Sequence, residues 1–224
     1  MASAVDVCNT ALAHLGAEML IASIDPPDGS AEAGWCATFY PIARRVALES
    51  AQWTFAKARA ALAQVANPSD VWQYAYALPS DHINPVRILN LASYNAAVTM
   101  LSDSYLYAPG SAIWWTQFQR ITEDSSANYA IEDQTVLTDE PDAVMIYLRD
   151  VTDTSKWSPS FTSGVAQLLA GYLAGPIIKG VEGMRIGQAW TQSGLAALGR
   201  SAASDANSTS ERADFIPQSI QARA

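Results

Sequence analysis

Along residues 30–62 the large apolar side chains recur as one face of a helix. Trp35, Phe39, Ile42, Val46, Ser50 and Trp53 follow one another at intervals of four, three, four, four and three. Such a stripe buries a row of bulky groups along a helix of period 3.6. Arg44 falls on the opposite face, and Glu49 and Gln52 lie outside the stripe's centre. Pro41 sits inside the pattern, where it removes a backbone donor and crowds the preceding turn at a cost of about 3 kcal/mol. The expectation is a kinked helix, or two helical segments meeting at Tyr40.

Ahead of this stretch, residues 3–15 predict a shorter helix. Ser3 and Asp6 have the spacing of a capping box, and Val5, Cys8, Leu12, Leu15 and Met19 form the apolar stripe. Gly16 is a C-terminal stop, Ile21 and Ile24 pin the connection, and residues 25–30 (DPPDGS) predict a rigid turn. After Leu62 the period changes. Asn67-Pro68-Ser69-Asp70 breaks the helix, and residues 71–78, 85–89, 129–131, 135–137 and 143–148 predict short strands. Residues 90–120 carry weaker signals, although Tyr105, Tyr107, Trp114, Trp115 and Phe118 add aromatic bulk.

The helical pattern returns at Ser158-Pro159, an N-cap followed by proline at the first helical position. That helix carries Phe161, Val165, Leu168, Leu169, Tyr172 and Leu173, and Pro176 kinks or ends it. A last helix, residues 181–203, carries Met184, Ile186, Trp190, Leu195 and Leu198. Gly171 with Gly175, and Gly183 with Gly187, predict close helix packing within a bundle or between subunits. Past Ser204 a polar run holds one apolar island, Phe215-Ile216-Pro217 with Ile220, as in an arm that orders on a partner.

These elements predict an α+β fold: mainly a helical bundle, with an inserted antiparallel β-sheet region and an extended C-terminal arm. The bundle's first half spans residues 1–66, the β-rich insert 67–149, the second half 150–206 and the arm 207–224.

Composition sharpens the functional side. The chain has 224 residues, is 50% hydrophobic and 16% charged, and carries a net charge of −9, so it builds a real core. Lys and Arg are not clustered, which argues against tight sequence-independent DNA binding. The first ten residues lack a basic segment followed by an apolar one, and the run 165–178 is shorter than the roughly 20 residues that cross a bilayer, so no membrane partner is expected. Cys8 and Cys36, the two cysteines, fall on helix faces among apolar residues and read as buried free thiols.

Catalytic chemistry is sparse. His14 and His82 have no pairing with Cys8 and Cys36 that fits zinc, and neither a phosphate-cradling glycine loop nor a nucleophile elbow occurs. No metal, cofactor or catalytic residue is expected. Glu132-Asp133 and Asp139-Glu140 have the residue types of glycosidase carboxylates but lie in turns, where solvated charge is commoner. Asp150 and Asp153 read as turn formers ahead of a helix.

A resemblance then adds to this reading. Tyr40-Pro41-Ile42-Ala43-Arg44-Arg45, Leu48-Glu49 and Trp53-Thr54-Phe55-Ala56 resemble the signature of the tail tubular protein A family, the head-to-tail adaptors of short-tailed bacteriophages. The segment Ala11-Leu12-Ala13-His14-Leu15-Gly16 is similar to that family's first helix, and residues 74–81 to its entry into the β region. Residues 147–153, Pro159-Ser160-Phe161 and 168–178 resemble a third signature. At Arg45 the family commonly has an acidic residue.

The resemblance implies a non-enzymatic virion protein at the head–tail interface. It would form a ring, twelve-fold in the family, between the portal protein and the tail nozzle protein, and pass DNA during ejection without binding it specifically. It would be made in the host cytoplasm. The arm, with Arg212, Phe215, Ile216, Pro217 and Ile220, is the expected portal contact. An acidic chain suits a bore through which phosphates slide. Two other readings stand beside it: a tail-associated cell-wall glycan hydrolase using Glu132 and Asp139, and a soluble binding module.

Overall fold

A computed structural model describes residues 2–18, 20–89 and 126–207. Among them are four α-helices, α1 (Ala4–His14), α2 (Ala31–Glu49), α3 (Pro159–Ile178) and α4 (Gly180–Ala206). Among the same described residues eight strands lie between α2 and α3: β1 (Lys57–Ala61), β2 (Ala63–Gln64), β3 (Tyr74–Ala77), β4 (His82–Leu89), β5 (Ser126–Ala127), β6 (Tyr129–Glu132), β7 (Thr135–Thr138) and β8 (Val144–Arg149). The fold is α+β.

The caps form as the sequence dictates. Ser3 and Asp6 exchange hydrogen bonds in a capping box. At the other end of α1, Gly16 has φ +72, the Gly16 N–H donates to Ala13 and the Ala17 N–H donates to Leu12, a Schellman closure. Ser30 caps α2 and Ser158 caps α3, each through its hydroxyl. The Asp25–Pro26 bond is cis, and Asp28 closes the turn by accepting from the Ala22 N–H and from the N–H and hydroxyl of Ser30.

α3 is the axis of the bundle. It is long and apolar enough to cross a membrane by length and composition, with mean hydropathy 1.3, and half of that stretch is buried against α1, α2 and α4. A helix apolar nearly all round needs such cover. It meets α4 along a seam of glycines, Gly171 against Gly187 and Thr191, Gly194 against Leu168, and Gly183 against Ala174. Gly175, expected to share that packing, faces open space instead. Between the helices, Lys179 takes φ 60 and ψ 168 and Gly180 takes φ 65, which reverses the chain within two residues.

Three expectations are corrected. The central helix does not reach Leu62, and of the two forms expected at Pro41 the split into two segments at Tyr40 does not occur: one helix runs through Pro41 to Glu49. Residues 57–61 form a strand, so the β region begins at Lys57, inside what was expected to be the bundle's first half. KARAA is built of good helix formers, but pairing along β8 overrides that propensity.

The buried face of α2 is also rotated from the predicted one. Ala33, Cys36, Tyr40, Ala43, Ala47 and Leu48 are enclosed, whereas Trp35, Phe39 and Val46 are half-buried and Ile42 is 49% exposed. Small side chains let α2 approach α3 closely, so the large ones are displaced to the shoulder. On α4 the enclosed face is Gly183, Gly187, Gly194, Leu198 and Ser201. Met184 and Leu195 lie outside it, exposed at 61% and 46%.

The strands make two antiparallel four-stranded sheets, ordered β1-β8-β4-β5 and β2-β3-β7-β6. β1 and β2 are nearly continuous, so the chain passes from one sheet to the other at Leu62, whose N–H donates to Ala143. Tyr76, Ile88, Val136, Ala143, Met145 and Tyr147 form the core of this region. β8 is buried along most of its length because its alternate residues serve two cores, with Met145 and Tyr147 in the β core and Leu148 in that of the bundle.

Candidate functional site

The best-defined polar constellation lies where β8 leaves the sheet and meets α2. Asp150 follows β8 directly and accepts two hydrogen bonds from Arg44, Nε at 2.8 Å and Nη2 at 2.7 Å, and a third from Arg45 Nε at 3.1 Å. The Arg44 and Asp150 side chains are 12% and 11% exposed, whereas Arg45 is 68% exposed. Burial raises the Asp150 carboxyl, and the two guanidinium groups outweigh it and hold it below its ordinary value. Arg44 also lies over the Tyr40 ring, 5.8 Å from its centre. Burial pushes the Tyr40 phenol up to about 12.

The β3–β4 turn completes the junction. The Asp150 N–H donates to the Asp81 carbonyl at 2.7 Å, and the Tyr147 hydroxyl donates to the Asp81 carboxylate at 3.0 Å. Beside it, Arg45, Glu49, Ser80, His82, Ile83 and Gln134 line a polar cleft of about 330 Å³. His82 is oriented by a 2.8 Å hydrogen bond between its Nδ1 and the Pro79 carbonyl.

A second junction is aromatic. Phe161 receives Trp53, Phe55 and Trp157 edge-on, with centroids at 4.7, 5.1 and 5.0 Å, in the geometry that ring quadrupoles favour. Both indoles are satisfied: Trp53 Nε1 donates to Ala47 and Trp157 Nε1 to Val151. Next to Trp53, the Thr54 N–H and hydroxyl donate to the two carboxylate oxygens of Asp205, each at 2.7 Å.

On the outer side of the bundle, Tyr172, Gly175, Met184, Gly187 and Gln188 line an apolar groove of about 480 Å³ between α3 and α4. The Tyr172 ring, at 6.4 Å from that of Phe39, joins this groove to the shoulder of α2. Val181, next to the groove on α4, is 78% exposed.

The residues considered for chemistry are scattered. Glu132 ends β6 in an exposed hairpin, and Asp139 caps the Gln73 N–H. His14 stacks on Trp190 at 4.5 Å. Cys8 and Cys36 are buried free thiols, as expected. Among the described residues no group of three or more His, Cys, Asp or Glu side chains could hold a metal ion. Arg212, Phe215, Ile216, Pro217 and Ile220 lie outside the described residues, as do Met19 and residues 90–120.

Asp153 is the turn former expected, accepting from the Ser155 N–H. Asp150 was expected to be one too and is instead the anchor of the junction. The signal for it was present: Arg44 has no acidic residue one turn away on its helix, so its guanidinium needs a partner elsewhere in the chain. No family model matches the chain, and no curated protein matches it.

Proposed function

We propose that this chain is a structural head-to-tail adaptor of a short-tailed bacteriophage, a ring-forming virion protein without turnover between portal and tail nozzle. The observation that carries the reading is a convergence. The segments through which the sequence resembles the tail tubular protein A family are distant in the chain and interlock in space. Arg44 of the first holds Asp150 of the third, which also binds Asp81 at the entry to the β region. Trp53 and Phe55 of the first surround Phe161 of the third. Residues that jointly fix an architecture are those a structural family carries together.

Two further features support an assembly role. Large apolar residues stay exposed at Ile42, Val181 and Met184, which suits a surface that meets neighbours. A net charge of −9 suits a conduit past which DNA slides. The five portal-contact residues expected in residues 207–224 belong to this proposal.

Light scattering of the full chain, alone and mixed with the portal protein of the same virion, tests it. A large complex of defined mass, with the adaptor recruited in a fixed number of copies, is the expected result. A chain that stays monomeric beside its portal would overturn the reading. Deleting residues 207–224 is expected to abolish portal recruitment while far-ultraviolet circular dichroism keeps its helical signal.

A further inference from the structure

The groove between α3 and α4 is built from features that packing among the described residues leaves unexplained. Gly175 lies inside α3, where glycine weakens a helix, yet it permits no close approach: nothing stands within 4 Å of the position a Cβ would take. What the missing side chain gives is depth, between Tyr172 on one wall and Met184 and Gln188 on the other. Met184 and the neighbouring Val181 stay exposed at 61% and 78%.

The outer face of α4 carries this surface onward. Val181, Met184, Gln188, Leu195 and Gly199 recur at intervals of three, four, seven and four, and all are exposed, so they form one stripe down the helix. None is charged, and the charged residues of α4 (Glu182, Arg185, Arg200 and Asp205) fall to either side. The stripe leads from the groove toward the end of α4 at Ala206, where residues 207–224 begin.

We propose that the occupant of this groove is the chain's own apolar island, Phe215-Ile216-Pro217 with Ile220, folded back antiparallel to α4. Reach decides which groove residues it meets. Pro217 bars a helix and holds Ile216 extended, so the returning chain covers roughly 3.3 Å per residue against about 1.5 Å per residue in α4. With residues 207–209 spent on the reversal, Phe215 arrives about 20 Å back along α4, level with Gln192, and Ile220 about 36 Å back, level with Met184. The α4 wall of the groove spans Gly183 to Gln192, so the island and the groove match in both distance and length.

The two surfaces also match in charge. Residues 215–222 carry none, as the stripe carries none, so docking buries no ion. A short tether holds the island at an effective concentration of about a millimolar, so a small apolar contact suffices to seat it. The inference concerns the chain by itself and stands apart from the adaptor reading. A portal that takes the same island has to draw it out of the groove.

NMR of the full chain with methyl-labelled methionine tests it. Loss of a signal in Met184→Leu identifies Met184, and Met145, buried in the β core, is the reference. Deleting residues 207–224 is expected to shift the Met184 signal and leave that of Met145 in place. A nitroxide on Gln221→Cys (Cys8 and Cys36 are enclosed and stay unlabelled in the native chain) should broaden the Met184 signal beyond detection. It should still do so when the doubly labelled chain is diluted into an excess of unlabelled chain. Gly175→Leu fills the groove where a side chain meets open space, and should restore the signal. A Met184 signal that neither moves on deletion nor broadens would overturn the proposal. So would broadening that Gly175→Leu leaves unchanged, or broadening that passes only between copies when methyl-labelled and nitroxide-labelled chains are mixed. No portal is present, so these outcomes are independent of the light-scattering test of the adaptor reading.

Discussion

Gly187 sits against Gly171 so closely that a Cβ added at position 187 would lie 2.9 Å from the Gly171 carbonyl oxygen. The obstacle is backbone, so the helices themselves must part to admit a methyl group. Gly187→Ala is therefore expected to destabilise the protein by roughly 1–3 kcal/mol, the range for an overpacked site. Gly199, also on α4, faces open space. Gly199→Ala should gain about 0.5–1 kcal/mol from helix propensity. Denaturant unfolding of the two variants checks both signs.

The junction at Asp150 predicts unequal roles for adjacent arginines. Arg44→Ala strands a nearly enclosed carboxylate and should cost roughly 2–3 kcal/mol, the scale of charged hydrogen bonds. Arg45→Ala removes an exposed partner and should cost under about 0.5 kcal/mol. Equal losses in chemical denaturation would sink this distinction.

Acid should loosen the same junction. Asp150 has its pKa lowered by folding, and Asp28, bonded to Ser30 and to the Ala22 and Ser30 N–H groups, is held down at about 2. A depressed carboxyl contributes stability that is complete above the unfolded value of about 3.9 and is lost as pH falls through the folded value. Stability should therefore decline below about pH 4, and the Asp150→Asn variant should show a shallower decline. Carboxyl carbon shifts followed by NMR should place the Asp28 midpoint near 2.

Phe161 is fully buried, with three aromatic rings against it. Phe161→Ala should cost about 3–5 kcal/mol, and Phe161→Leu considerably less. Thermal melts followed by tryptophan fluorescence report both, since Trp53 and Trp157 share the cluster.

Lys179 holds φ 60 with ψ 168, a region in which a side chain costs about 1–3 kcal/mol and glycine almost nothing. Lys179→Gly should stabilise the protein despite removing a side chain. A lower midpoint in urea would refute the assigned backbone strain.

Much of the fold was legible because its signals are local. Ser3 with Asp6, Gly16, Ser30, and Ser158 before Pro159 state the helix ends through side-chain chemistry that acts within one turn. Strands β6, β7 and β8 followed from alternation and turn residues. What escaped depended on partners far along the chain. Lys57–Ala61 is a strand only because β8 lies beside it. The enclosed face of α2 follows from fit against α3, and fit selects Ala33, Ala43 and Ala47 over the larger Trp35 and Ile42. For the same reason Asp150 looked like a turn residue until Arg44 was beside it, and the glycine row of α4 was legible while Gly175 was not separable from it.

The β region leaves and rejoins the bundle at two pinned places. On entry Thr54 is fastened to Asp205, and on exit Asp150 is fastened to Arg44. Between these two pins Leu148 of β8 is buried in the bundle's own core, and Ile83 and Val86 of β4 pack against it. Sheets and helices thus share packed side chains as well as polar fastenings, and the β region is expected to move with the bundle as one body.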